Sequence, residues 1–338
     1  MINKEDFILI TGGSGFIGTN LIELFEKCDY KIINFDKYQA TKTNQNCYWH
    51  EGNIMNKEQL AEAFDKYKPA IIIHLAARTD TLSDNIEDYI ENTEGTKNVV
   101  GEIMKHDYVK HALFASTQYV YKNREIPFGL TDDTYTPHTV YGISKKIDEE
   151  YIRHSGMKCK WTIFRPCNVW GPWHMRYPNE LWKMIAKGLY IQPGYLPTIR
   201  TYAYVGNLVK QLWAIMNAPD ELQDKKTYYL GDMPCDSYIW LNTLSKELTG
   251  KKLNRLPRFI FWMGAMFGDV LRKFGINFPL YSIRYHNMIE DFYAPSNITI
   301  SLFGAFETSY EKNVKETIDW LRGEGAQYFE FWKIRKRL

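Results

Sequence analysis

Five short apolar runs mark the first half of the chain: FILIT (7–11), KIINFD (31–36), AIIIHLA (70–76), HALFAS (111–116) and KWTIFRP (160–166). They are rich in Ile and Phe without strict apolar-polar alternation, the pattern of strands buried on both faces. Between them, stretches such as FIGTNLIELFEKC and NTEGTKNVVGEIMKH carry the three- and four-residue apolar spacing of amphipathic helices. Strand and helix in alternation predict an α/β fold: a doubly wound parallel sheet with right-handed crossovers, running to about residue 167. Beyond it the pattern breaks into loops, RPCNVWGPWHMRYPNE and LYIQPGYLPTIRTY. Helical patterns follow near 179–187, 205–217, 237–249, 256–273 and 312–323, which predict a smaller, mostly helical C-terminal lobe.

The first run opens directly into TGGSGFIG, with Gly12, Gly15 and Gly18 at GxxGxxG spacing and a helix pattern behind them. A strand-to-helix turn of this kind lets backbone N–H groups approach a pyrophosphate, helped by the positive end of the helix dipole. Asp36 closes the next run, where an acidic side chain accepts hydrogen bonds from both hydroxyls of an adenosine ribose and repels a 2′-phosphate. The expected cofactor is therefore NAD rather than NADP, a preference that neighbouring Lys37 softens. HLAA (74–77) ends a buried run with small residues, as a sheet edge crossed by a ring or ribose requires, and Asn92 is placed at a helix start. The expected division is 1–167, a Rossmann-type NAD-binding domain, and 168–338, a substrate lobe from which segments such as 198–217 return to the first domain.

Tyr141 and Lys145 stand four residues apart in YGISK and share one face of a predicted helix. A free phenol has a pKa of about 10. An ammonium about 4 Å away favours phenolate by about 4 kcal/mol at an effective dielectric near 20, on the order of three pKa units, which brings a tyrosine into range for acid-base work. The run before it ends in FASTQYVY, where the hydroxyl of Ser116 or Thr117 is placed to hold a substrate oxygen.

Composition narrows the classes. At 338 residues, 24% charged and with net charge +2, the chain has the size of an enzyme and no field that implies a nucleic-acid partner. The five cysteines show no CxxC pair and no metal-ligand spacing, so no metal is expected. The start, MINKEDFILITGG, has no secretory pattern, and a cytoplasmic location is expected.

Taken together, TGGSGFIG, Asp36, HLAA, STQYVY, YGISK and RPCNVWGP resemble the extended short-chain dehydrogenase/reductases, the NAD-dependent epimerase/dehydratase family acting on nucleotide sugars. The resemblance implies Tyr141 as the acid-base residue, Lys145 lowering its pKa and holding the nicotinamide ribose, and Thr117 bonding the reacting oxygen. It adds Phe16, Ile17, Asn53, Ile54, Leu75, Ala76, Ala77 and Asn92 to the cofactor contacts. It also implies Asn168 and Arg200 on the substrate diphosphate and a homodimer through segments 84–106 and 138–154.

Departures from the family pattern bear on the reaction. Dehydratases carry Asp-Glu after the Thr, and this chain has Gln118 and Tyr119, so 4,6-dehydration is disfavoured. What remains needs only Tyr, Lys, Thr and nicotinamide. The leading expectation is C4 epimerisation of a UDP-sugar through a 4-keto intermediate; the alternative is a net oxidoreductase on a nucleotide sugar or other cyclic alcohol. YVGN (204–207) stands where many relatives have HVDD, which leaves room for an altered substrate. Cys167 and His174 are a candidate base and acid beside a ketone. KKLNRLPRFIFWMGAMFGDVLRKFG and the tail YFEFWKIRKRL mix basic and aromatic residues; a peripheral membrane contact is weighed for them, with core packing or a subunit contact preferred.

Overall fold

The computed structural model describes residues 3–122, 134–304, 306 and 309–335. The chain divides into two compact units. The first comprises Met1–Val169, Ala203–Asp232 and Ala294–Glu307, and the second Trp170–Tyr202, Met233–Tyr293 and Thr308–Leu338.

The first unit is built on a parallel sheet of seven strands: β1 (Phe7–Thr11), β2 (Lys31–Asp36), β3 (Tyr48–Glu51), β4 (Ile71–His74), β5 (His111–Ala115), β6 (Lys160–Pro166) and β7 (Lys226–Leu230). Their spatial order is β7-β6-β5-β4-β1-β2-β3. The order reverses between β1 and β4, and such a switch point leaves a crevice at the carboxyl edge of the sheet. Neighbouring residues alternate between two apolar layers. Ile8, Ile10, Ile71, Ile73 and Leu113 face helices α1 (Phe16–Glu26) and α6 (Val205–Met216), whose Leu21, Phe25, Leu208 and Leu212 are fully buried. Leu9, Ile72, Ala112 and Phe114 face α2 (Lys57–Tyr67), α3 (Ile90–Ile103) and α4 (Val140–His154) through Phe64, Val99, Val100 and Ile152.

The sequence pattern missed two strands, β3 and β7. The first, YWHE, is a short edge strand with three of its four residues exposed, and the second, KTYYL, is buried through tyrosines. Neither presents an aliphatic run, which is the signal the other five share.

The helix expected near 179–187 is α5 (Leu181–Ala186) of the second unit, whereas α10 (Ser296–Phe303) of the first, where Thr299 donates to the Tyr229 carbonyl, was not marked by the pattern. The second unit also holds α7 (Ser237–Thr249), α8 (Arg258–Lys273), α9 (Ser282–Ile289), α11 (Tyr310–Arg322) and α12 (Glu330–Arg335). Its core is aromatic: Trp170 meets Trp240 edge-on at 5.6 Å between centroids, and Tyr202 stacks on the same Trp240 at 4.3 Å.

The structure separates the two basic-aromatic stretches and, of the two preferred readings, core packing or a subunit contact, removes core packing at the first. On α8, Phe259, Trp262, Met263, Met266, Phe267 and Val270 are all exposed, and only Ala265 and Gly268 are buried. In the tail, Phe329 and Trp332 are buried, and the Trp332 indole N–H donates to the Pro178 carbonyl at 3.1 Å; the final three residues lie outside the described ones.

Candidate active site

At the end of β1 the chain turns through Gly12 at φ +71°, the left-handed region that glycine enters without strain. A Cβ there would lie 2.6 Å from the Ala76 backbone nitrogen, and one at Gly18 would lie 2.5 Å from the Gly13 carbonyl oxygen. Glycine therefore lets this turn close on itself and on the backbone of Leu75 and Ala76, which Ala77 follows. Gly15 is the N-cap of α1 and brings no side chain to cap it, so the first amide groups of the helix keep capacity for an anion. Phe16 and Ile17 begin that helix and pack partly buried on the core.

Asp36 ends β2 beside this loop. Its carboxylate accepts from the Ser14 amide at 3.1 Å and the Tyr38 amide at 3.0 Å. Burial pushes its pKa up, and those two amides pull it back. Asn53 and Ile54 follow β3 at the same edge; the Asn53 side-chain oxygen accepts from the Met55 amide at 3.0 Å, and Ile54 is buried against α3. Cradle, helix terminus and paired-acceptor carboxylate fit a dinucleotide: the loop 12–18 would hold its pyrophosphate and Asp36 its adenosine ribose.

Asn92 lies in the first turn of α3, as its third residue, is fully buried, and uses both amide hydrogens on the Arg78 carbonyl (3.0 Å) and Ser144 Oγ (2.9 Å), while its oxygen accepts from the Arg78 amide (2.8 Å). It ties the loop after β4 to helix α4.

Tyr141 and Lys145 lie in the first two turns of α4, which Thr139 caps by accepting from the Gly142 amide. Tyr141 is 7% exposed, and Thr117 hydrogen-bonds its phenol. Of the two hydroxyls before it, Thr117, the one the resemblance implies, is the one that meets the phenol. Ser116 Oγ instead donates to Glu149 Oε1 at 2.5 Å, in a buried cluster where Arg165 grips the same carboxylate through Nε (2.8 Å) and Nη2 (2.7 Å) and Tyr135 donates at 3.0 Å.

The electrostatics around the phenol are set by burial and by the partner that Lys145 takes. Burial pushes the Tyr141 pKa above its ordinary value; the Thr117 hydrogen bond opposes this, and the Asp148 charge adds to it. Lys145 is 2% exposed and donates to Asp148 Oδ2 at 2.7 Å. Its charge is thus answered by a carboxylate one helical turn on, which burial, partly offset by Lys145 itself, raises to about 6. Sequence reasoning missed Asp148, although its i, i+3 spacing from Lys145 was visible.

A second omission is His74, buried between Thr11 Oγ1 (2.7 Å) and Thr96 Oγ1 (3.1 Å). Burial lowers its pKa to about 3, so it is a neutral strut; Thr11 Oγ1 in turn accepts from the Ala76 amide at 3.3 Å and fixes the loop.

The remaining candidates are placed separately. Asn168 follows β6 and accepts from the Ala203 amide through its carbonyl. Arg200 directs Nη2 to the carbonyls of Asn287 and Glu290 at the end of α9. Cys167 is fully buried, which raises its thiol pKa far above the range of a useful base. Burial lowers His174 to about 3, with Nδ1 accepting from the Tyr177 amide at 3.0 Å, so neither has the character of an acid-base pair at neutral pH.

Several known proteins are similar to this chain. The N-acetyl-alpha-D-glucosaminyl-diphospho-ditrans,octacis-undecaprenol 4-epimerase of Escherichia coli O157:H7 is 30% identical over 215 residues, 61% of this chain and 62% of that protein. The dTDP-D-glucose 4,6-dehydratase of Dictyostelium discoideum is 32% identical over 219 residues, 54% of this chain and 48% of that protein. The matched stretches thus span about half to two-thirds of these relatives. A crystal structure of the Thermotoga maritima UDP-glucose 4-epimerase with UDP-glucose shares the fold, with a TM-score of 0.71 at 18% identity over 94% of this chain and 99% of the other. The model of one family matches residues 8–231, from the first strand to the end of the last, and the glycine cradle, Asp36 and the Thr117-Tyr141-Lys145 group all lie within it: the chain belongs to the NAD dependent epimerase/dehydratase family.

Proposed function

We propose that the protein is an NAD-dependent nucleotide-sugar epimerase that inverts C4 of a UDP-sugar through a transient 4-keto intermediate. The observation carrying this reading is the chemistry of the segment after Thr117. Gln118 is fully buried and Tyr119 is a phenol, so no carboxyl pair stands there to expel a sugar hydroxyl and abstract a neighbouring proton. A carbinol-ketone interconversion needs no such pair. NAD, when bound, supplies reversible hydride transfer. Thr117 orients the 4-oxygen, and Tyr141 takes its proton on oxidation and returns it on reduction.

Purified protein, denatured without added coenzyme, is expected to release near-stoichiometric NAD(H), because an epimerase regenerates its cofactor at each turnover. A site that fills only when NAD or NADP is supplied would instead identify a net oxidoreductase.

The Lys145–Asp148 pair also predicts a pH effect. Asp148 raises the pKa of Tyr141, so removing its charge in Asp148→Asn lowers that pKa. The acid limb of the kcat profile is expected to move to lower pH, by on the order of one unit. An unmoved limb in a folded, active variant would show that Asp148 does not govern the phenol.

A further inference from the structure

Helix α8 turns an apolar face outward along its whole length. Phe259, Trp262, Met263, Met266, Phe267 and Val270 recur at three- and four-residue intervals, and Phe259, Trp262 and Phe267 are 61%, 52% and 58% exposed. Past the helix, Phe274, Ile276 and Ile283 on α9 are exposed as well. An exposed apolar stripe of this length marks a surface that meets something apolar.

The opposite face is fixed. A Cβ at Gly268 would fall 1.8 Å from the Leu280 carbonyl oxygen, so the returning segment lies directly against the helix backbone. Ser282 donates to Asp269 through its amide at 3.1 Å and through its hydroxyl, which pins α9 to α8. The outer stripe is therefore held rigidly away from its own core.

Charge identifies the occupant. Between Lys251 and Ile289 the chain carries Lys251, Lys252, Arg255, Arg258, Arg272, Lys273 and Arg284, against one acidic residue, Asp269. Arg258 stands at the start of α8 and Arg272 and Lys273 at its end, so both ends of the apolar stripe are basic. A second copy is a poor partner for this face: antiparallel self-pairing would set Arg258 against Arg272 and Lys273 of its twin, like charge on like. An anionic bilayer meets both features, headgroup phosphates at the basic ends and acyl chains under the aromatic stripe. At 16 residues the helix is about 24 Å long. Among the described residues no helix is long and apolar enough to cross a membrane, so α8 would lie in the interface.

We propose that α8 and the segment leading into α9 dock this protein on the surface of an anionic phospholipid bilayer. The inference stands independently of the reaction assigned to the first unit. The test is cosedimentation of the full chain with vesicles of phosphatidylcholine containing 30% phosphatidylglycerol, beside vesicles of phosphatidylcholine alone. Binding is expected to the anionic vesicles, to weaken with salt, and to fall at least tenfold both in Phe259→Ser/Trp262→Ser/Phe267→Ser and in Arg272→Glu/Lys273→Glu. All five side chains are at the surface, so circular dichroism should match the parent. Absence of vesicle binding, binding indifferent to both variants, or self-association that the serine variant abolishes would each overturn the proposal.

Discussion

The Tyr141→Phe variant is expected to lose about three orders of magnitude in kcat, within the range measured for deleting a general acid-base group, while KM and bound cofactor content stay near those of the parent. The substitution removes one oxygen from a buried helix face. The apolar ring contacts with Tyr89 and Tyr119 remain, so the site keeps its shape. What is lost is the phenol that meets Thr117 and would exchange a proton there. Steady-state kinetics separates the effects: a fall in kcat alone means that the phenol acts in the chemical step, and activity within a few-fold of the parent would remove Tyr141 from the mechanism. Because burial keeps this phenol protonated at neutral pH, giving a proton to a ketone is its easier direction. Taking one requires positive charge near the phenol, which Lys145 provides only as far as Asp148 releases it.

The second large effect is on stability. Glu149→Ala is expected to cost about 3–5 kcal/mol, a fall on the order of 10 °C in Tm, because it strands Arg165 in the interior. That guanidinium is 1% exposed, lies over the rings of Tyr121, Tyr135 and Tyr229, and has Glu149 as its buried counter-charge. Burial disfavours the Glu149 charge, but Arg165 outweighs it and holds the pKa below its ordinary value. The pair therefore contributes stability above the unfolded carboxyl pKa, and that contribution is lost as pH falls through the lower folded value. Replacing both partners, as in Glu149→Leu/Arg165→Met, should be milder than Glu149→Ala, since the deeply buried Arg165 charge leaves with its partner and Arg153, the other cation on Glu149, keeps its hydrogen bonds to Tyr135 and Thr227. Thermal unfolding of the single and double variants checks this; a single variant as stable as the parent would show that water reaches Arg165.

These expectations draw unequally on sequence and structure. The glycine cradle, Asp36 and the five aliphatic strands were legible because each is a local signal, a spacing or a run that neighbouring residues alone produce. The Tyr141–Lys145 spacing was equally local, but the charge state it implied was not. Lys145 had a choice between the phenol and Asp148, and only the packed helix shows that it takes the carboxylate. Ser116 and Thr117 were told apart only by the family resemblance, and the packed structure sends one to Glu149 and the other to Tyr141.

The same contrast divides the two basic-aromatic stretches. Their compositions are alike, yet Trp332 is buried with its indole bonded to Pro178 while Trp262 stands half in solvent. By itself the sequence determined five of the seven sheet strands and the spacing on which a dinucleotide and a proton-transferring phenol are expected, since backbone periodicity and turn chemistry act between near neighbours. Tertiary structure decided which partner each polar group takes and which apolar face is covered, since desolvation and competition for partners depend on residues distant in the chain.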